Sequence, residues 1–167
     1  MRLFATFALI SLVACGGSEP APPPAPTAPK VEPEPAPEPE PKVDFAALDE
    51  AGQKAHLMTL GEEVYNTGGS GGVACLTCHQ ATGEGLPGAF PPLKGAGDFY
   101  GDCAKHAGFV INGLTGEIEI AGTTYNSAMP AQANLSDMEI AAVITFERNS
   151  WGNDDGVCTP DQVKAAR

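Results

Sequence analysis

Positive charge is scarce in this chain. Its 167 residues hold 9 Lys and Arg against 21 Asp and Glu, a formal net charge of −12 at pH 7. Duplex nucleic acid is gripped by Lys and Arg that displace phosphate counterions, so nucleic acid is excluded as a partner. Aromatic residues are few, at 7%, and are spread mainly over the second half. Long apolar runs are missing as well: none reaches the roughly 20 residues that span a bilayer, which excludes a polytopic membrane protein. No second Cys-x-x-Cys accompanies the one at Cys75–Cys78, so the two further ligands of a regular zinc site are lacking.

Proline is abundant but confined. Eleven of the 16 prolines lie between Pro20 and Pro41. The rest of the chain, Asp44 to Arg167, has ordinary globular composition and a length that suits one domain with one core.

Three N-terminal features read in order. Met1-Arg2 is a short positive start, and Leu3 to Ala14 is apolar apart from Thr6 and Ser11, the length of a signal-peptide core. The run ends Leu12-Val13-Ala14-Cys15-Gly16, which resembles a bacterial lipobox. That resemblance implies a signal peptide at 1–14, cleavage before Cys15 and a lipid on its thiol; an ordinary signal peptide with a chance cysteine is the alternative. Acyl chains contribute about 0.8 kcal/mol per buried CH₂, so several of them hold a protein firmly on a membrane. Residues 15–43 form a Pro/Ala/Glu-rich linker. Proline fixes φ and removes donors, so the composition reads as a disordered, extended tether of about 3.1 Å per residue, reaching on the order of 70 Å. It is either a stalk that lets a domain swing between membrane partners or a passive spacer.

The domain at 44–167 carries one specific motif. Cys75-Leu76-Thr77-Cys78-His79 is Cys-x-x-Cys followed directly by His, the pattern of c-type haem attachment. Two thiols can add to the two vinyl groups of one haem, and the adjacent imidazole then lies under the iron. A thioredoxin-like redox pair would need a strand before the motif, and the glycines at 68–72 do not supply one. The sixth iron position has five candidates: Met58, Met129, Met138, His56 and His106. Met129 is favoured because Pro130 biases it toward an extended conformation, as suits a loop residue pointing inward. A methionine that only fills core space is the alternative.

Helical patterns frame the motif. Leu48 to Thr67 reads as a helix with Leu57, Leu60, Val64 and Tyr65 apolar, stopped by the glycine run. Ser136-Asp137-Met138-Glu139 is a capping box. Ile140, Val143, Ile144 and Glu147 then trace the 3.6-residue period, and Arg148 suits the negative end of the helix dipole. Cys103 to Asn112 reads as a third helix, and Glu117 to Thr124 as a small hairpin around a glycine turn.

From about Gly61 to Asn153 the chain resembles a class I c-type cytochrome, in particular the mono-haem domains similar to those fused to haem–copper oxidase subunit II. The matching pieces, in order, are Gly61-Glu62-Glu63-Val64-Tyr65-Asn66, Cys75 to Gln80 and Gly88-Ala89-Phe90-Pro91-Pro92-Leu93. Tyr125 to Ala131, Leu135-Ser136-Asp137 and Arg148 to Asn153 complete the set. The resemblance implies an all-α class I cytochrome c fold, its first and last helices crossing and haem between them. It implies one covalent haem c on Cys75 and Cys78, with His79 and Met129 as axial ligands to the iron. Pro91 would accept a hydrogen bond from the His79 ring through its carbonyl. Gly61 and Tyr65 would meet Val143 and Phe146 at the crossing, Tyr125 and Asn126 would either bond a propionate or the Met129 loop or form a structural turn, and Trp151 would pack at the helix end.

The chain departs from the family pattern in a longer glycine approach at 68–72, an extended segment at 153–156, and the extra Cys103 and Cys158. Cys103 and Cys158 are expected to form a disulfide, which an exported compartment permits; two separate thiols remain the competing reading. Six-coordinate iron leaves no place for a substrate. The expectation is therefore an electron-transfer protein rather than an enzyme, tethered to a bacterial membrane with its haem domain in the periplasm or on the outer face. It would pass electrons from a quinol-oxidising complex to a terminal oxidase or reductase. The alternatives are a haem subunit of a dehydrogenase or reductase complex, and a ligand-binding haem sensor.

Overall fold

The computed structural model describes residues 43–167. The signal run 1–14, Cys15 and the Pro-rich segment to residue 42 lie outside the described residues.

After a single 3₁₀ turn at Phe45–Ala47, α1 spans Glu50–Thr67. It begins two residues later than the apolar pattern suggests because Asp49 takes the N-cap, its carboxylate accepting from Gly52 N–H at 2.8 Å. The Cys-x-x-Cys-His residues make the short helix α2 (Leu76–His79). Next come α3 (Gly97–Tyr100) and α4 (Cys103–Asn112), the latter capped by Asp102. The hairpin of β1 (Ile118–Ile120) and β2 (Thr123–Tyr125) sets Ile118 opposite Tyr125. The chain closes with α5 (Asp137–Asn149) and α6 (Pro160–Ala165). Among the described residues no helix is long and apolar enough to cross a membrane.

Two elements escape the periodicity argument. The helices α3 and α6 hold four and six residues, too few to show a 3.6-residue period. A signal for α6 was nonetheless present: Thr159-Pro160-Asp161-Gln162 is a capping box with Pro at the helix start, and both reciprocal bonds form.

The core forms where α1 crosses α5. A Cβ on Gly61 would lie 2.2 Å from the Ala142 carbonyl oxygen and 2.7 Å from Phe146 Cβ, so only glycine lets the two backbones approach this closely. Tyr65 packs on Phe146 and Trp151 with ring centroids 5.4 and 5.2 Å apart. Here the expectation from sequence is adjusted. The residue under Gly61 is Ala142, while Val143, one position on, lines an apolar cavity.

Loops are held by buried polar fixings. Arg148 does more than face a helix end: it is buried, and its guanidinium donates to the carbonyls of Asp155 and Gly101, each at 3.0 Å. A planar fork of donors is well matched to carbonyls arriving from two loops. Glu139 closes the α5 capping box and accepts from Ser70 N–H and Oγ, both at 2.7 Å. Burial alone would raise its pKa; hydrogen bonds from Ser136 and Ser70 outweigh that and hold it at about 2. Cys103 and Cys158 are joined by a disulfide with their Cα atoms 5.5 Å apart, which ties the start of α4 to the segment before α6.

Candidate haem site

One apolar cavity collects residues from most elements of the fold. Its wall includes Cys75, Cys78, His79, Pro91, Met129 and Val143. Local rules explain how each arrives there. The single turn of α2 puts Cys75, Cys78 and His79 on consecutive backbone hydrogen bonds, Cys78 N–H and His79 N–H both donating to the Cys75 carbonyl. The turn stops at Gln80, whose φ of 61° is rare for a residue with a side chain. Surrounding bonds hold that conformation: Gln80 N–H donates to Leu76, and the Tyr65 hydroxyl donates to the Gln80 carbonyl at 2.6 Å.

His79 Nδ1 lies 2.9 Å from the Pro91 carbonyl oxygen. A carbonyl only accepts, so Nδ1 carries a proton, and Nε2 is the ring nitrogen left without a partner among the described residues. A neutral imidazole fixed in this way is the form that binds a metal.

In the same wall, the Met129 segment is pinned as an isolated β-bridge: Met129 N–H donates to Leu114 at 2.8 Å and Leu114 N–H to Met129 at 3.0 Å. Gly113, at φ +72°, makes this possible, because a Cβ there would sit 2.4 Å from the Met129 carbonyl oxygen. Gln132, which sequence reasoning passed over, braces the same segment. It is buried, accepts from Val73 N–H at 2.8 Å and donates its own N–H to Val110.

The remaining candidates for the sixth iron position separate clearly. Met58, Met138 and His56 are not in the cavity wall; Met138 packs against the core, and the His56 ring sits 5.9 Å from that of Phe45. His106 does line the cavity, but its Nε2 faces the Glu147 carboxylate at 3.0 Å. Met129 and His106 are thus the two candidates in the wall: the Met129 thioether has no partner among the described residues, and His106 has one ring nitrogen engaged by Glu147. Tyr125 is buried in the hairpin, and among the described residues neither it nor Asn126 hydrogen-bonds the Met129 segment through its side chain. Trp151 is half-buried outside the cavity wall, donating Nε1–H to Ala81 at 3.0 Å with Gly83 beneath its ring.

The Cys75 thiol is unlike that of a redox-active cysteine. Burial, then the nearby charge of Glu147, pushes the Cys75 thiol far above its ordinary value, whereas reactive redox cysteines have depressed values. Two cysteines, an imidazole with Nε2 unpartnered, a thioether in the same wall and apolar surroundings form a donor set that fits haem.

His106 and Glu147 carried a signal that the reading from sequence did not use. Glu147 falls on the apolar stripe of α5, and His106 falls on the stripe of α4 with Val110. A charged residue on a buried stripe is normally paired.

Comparison with known proteins agrees with the geometry. The cytochrome c family profile matches residues 58–151. The chain is 40% identical over 104 residues to cytochrome c-552 from Thermus thermophilus, an alignment covering 56% of this chain and 78% of that protein. A second cytochrome c-552 sequence of Thermus thermophilus is likewise 40% identical over 104 residues, with 69% of its length covered.

Proposed function

Because the chain belongs to the cytochrome c family, with covalent haem c and redox protein partners, we propose that it is a membrane-tethered electron shuttle of an exported respiratory chain. In this reading Cys75 and Cys78 hold the haem through thioethers, His79 and Met129 ligate its iron, and Cys15 carries the lipid that anchors the chain. The observation that carries the reading is that one apolar cavity is lined by both thiols of the Cys-x-x-Cys-His motif, by the His79 ring fixed by Pro91, and by a pinned Met129 segment.

When bound, the haem supplies a one-electron Fe(III)/Fe(II) couple. The chain's own residues do the rest. The His79–Pro91 bond fixes the imidazole and raises its basicity. The Leu114–Met129 bridge holds the thioether in place for both oxidation states, so little has to reorganise as an electron passes. A thioether opposite His favours the reduced state and raises the potential. The apolar wall keeps water out. Val73 lines the cavity and is also half-exposed, marking where a partner would approach.

From Asp44 onward 6 Lys and Arg face 16 Asp and Glu, a difference of −10. Partners with basic or mixed surfaces would dock faster, and salt would slow the encounter. A quinol-oxidising complex as donor and a terminal oxidase or reductase as acceptor meet these requirements. The exported setting rests on the signal-like run and Cys15, and the reach between complexes on the Pro-rich linker.

Two measurements on the full-length protein test the reading. The reduced protein is expected to form no carbon monoxide adduct, and to move from the membrane to the soluble fraction on Cys15→Ser. Ready carbon monoxide binding would instead indicate a ligand-binding haem protein, and unchanged membrane retention would remove the lipid anchor.

A further inference from the structure

Two ionisable side chains sit in the cavity wall without a part in haem attachment or ligation. His106 on α4 is 3% exposed and Glu147 on α5 is 4% exposed, and His106 Nε2 lies 3.0 Å from Glu147 Oε2. Both line the cavity shared by Cys75, His79 and Met129. The imidazole lies flat on the Tyr100 ring, with centroids 4.2 Å apart and planes within 2°, so its orientation is fixed. Its other nitrogen, Nδ1, is buried with no hydrogen-bond partner among the described residues.

A purely structural polar pair in a core is normally satisfied at every donor and acceptor. This pair is not. Each member changes charge on taking up a proton, and charge in an apolar interior is costly unless another charge offsets it. An electron arriving in the same cavity is such a charge. We infer that His106 and Glu147 form a redox-linked proton site, which takes up one proton as one electron enters the haem and releases it on reoxidation. The electron comes from the donor protein and the proton from solvent; one N–H or O–H bond forms, and the net charge of the buried site is conserved. The inference rests on the bound haem and not on the identity of the partners.

The other charged and titratable groups around the pair do not substitute for it. From α1 comes Tyr65 and from α3 Tyr100; burial first, and the charge of Glu147 second, pushes both hydroxyls far above their ordinary values, so they keep their protons. Cys75 precedes α2 and has no proton to exchange once it is a thioether. Arg148, beside Glu147 on α5, is permanently charged and is held by the Asp155 and Gly101 carbonyls. Asp155, whose charge also reaches Tyr100, is half-buried on the loop after α5. His106 and Glu147 are therefore the members of this cluster that both line the cavity and exchange a proton.

The test is the midpoint potential of the full haem-loaded protein from pH 5 to 9, for wild type, His106→Gln and Glu147→Gln. The wild-type potential is expected to fall with rising pH over part of this range, with a slope of up to about 59 mV per tenfold change in proton activity for a one-electron couple. Both variants should flatten that slope, and Glu147→Gln should raise the potential at pH 9, because a negative charge beside the haem is gone. A flat wild-type profile would overturn the inference, and so would a slope that persists unchanged in both variants, since it would then belong to other groups such as the haem propionates. Should either variant fail to retain haem, the wild-type His106 ring can be titrated by NMR in both redox states. Its titration midpoint should be higher in the reduced protein, and equal midpoints would refute the proposal.

Discussion

At the residue scale, the site depends on atoms that each have one free function. His79 has spent Nδ1 on Pro91, and Met129 has spent its backbone on Leu114 while its thioether remains available. Met129→Ala would remove that thioether without disturbing the bridge, since both bridge bonds are backbone to backbone. The expected outcome is an open sixth position, carbon monoxide binding to the reduced protein, and a potential lower by on the order of 0.2 V, a fraction of the roughly 0.8 V over which axial ligands set haem potentials. Redox titration with spectra in both states checks it. An unchanged spectrum and potential would mean that another residue occupies the position.

At the scale of elements, the α1–α5 crossing is the joint that positions everything else. It brings Tyr65 to the back of α2, where the hydroxyl holds Gln80, and it places Val143 and Glu147 along the cavity. The crossing has almost no tolerance at Gly61, where an added Cβ meets backbone and not the end of a flexible side chain. Gly61→Ala should cost about 3 kcal/mol, toward the upper part of the range for overpacking a close-fitted contact. Denaturant unfolding monitored by haem absorbance and by helical circular dichroism should show the midpoint fall by the corresponding amount. A change within about 0.5 kcal/mol, the range of a neutral surface substitution, would show that the helices can slide apart.

At the scale of the whole molecule, the C-terminal segment is tied down by chemistry more than by area. After α5, Arg148 holds the Asp155 loop, the Thr145 hydroxyl donates to the Cys158 carbonyl and accepts from Cys158 N–H, and the disulfide joins Cys158 to Cys103. The bond closes a span of 55 residues, for which the chain-entropy model gives about 4 kcal/mol at 25 °C. The double variant Cys103→Ala/Cys158→Ala is expected to lose about that much stability while keeping its haem spectrum, because neither cysteine is one of the motif thiols. Paired unfolding curves with and without reductant check it. Equal stability of the oxidised wild type and the double variant would show that the bond adds nothing to the folded state.

Much of this protein was determined by short stretches of sequence, because the interactions that decide them are themselves short-range. Cys75 to His79 carries its chemistry in five consecutive residues. Ser136 and Glu139 cap α5 from within one turn, and the glycines after Thr67 end α1. The helical span Cys103–Asn112 and the hairpin near Glu117 to Thr124 were legible for the same reason, through period and turn chemistry. What tertiary structure decided are pairings between residues far apart in the chain. The family resemblance implied that α1 and α5 cross but not the register that sets Ala142, and not Val143, under Gly61. In sequence, Met129 was preferred to His106 only through the extended bias of Pro130; the packing of α4 beside α5, which turns His106 Nε2 toward Glu147, and the backbone bridge from Met129 to Leu114 are tertiary. Capping and turn formation are settled by groups within a few bonds of each other, whereas the partner of a buried charge is settled only when helices pack and water leaves.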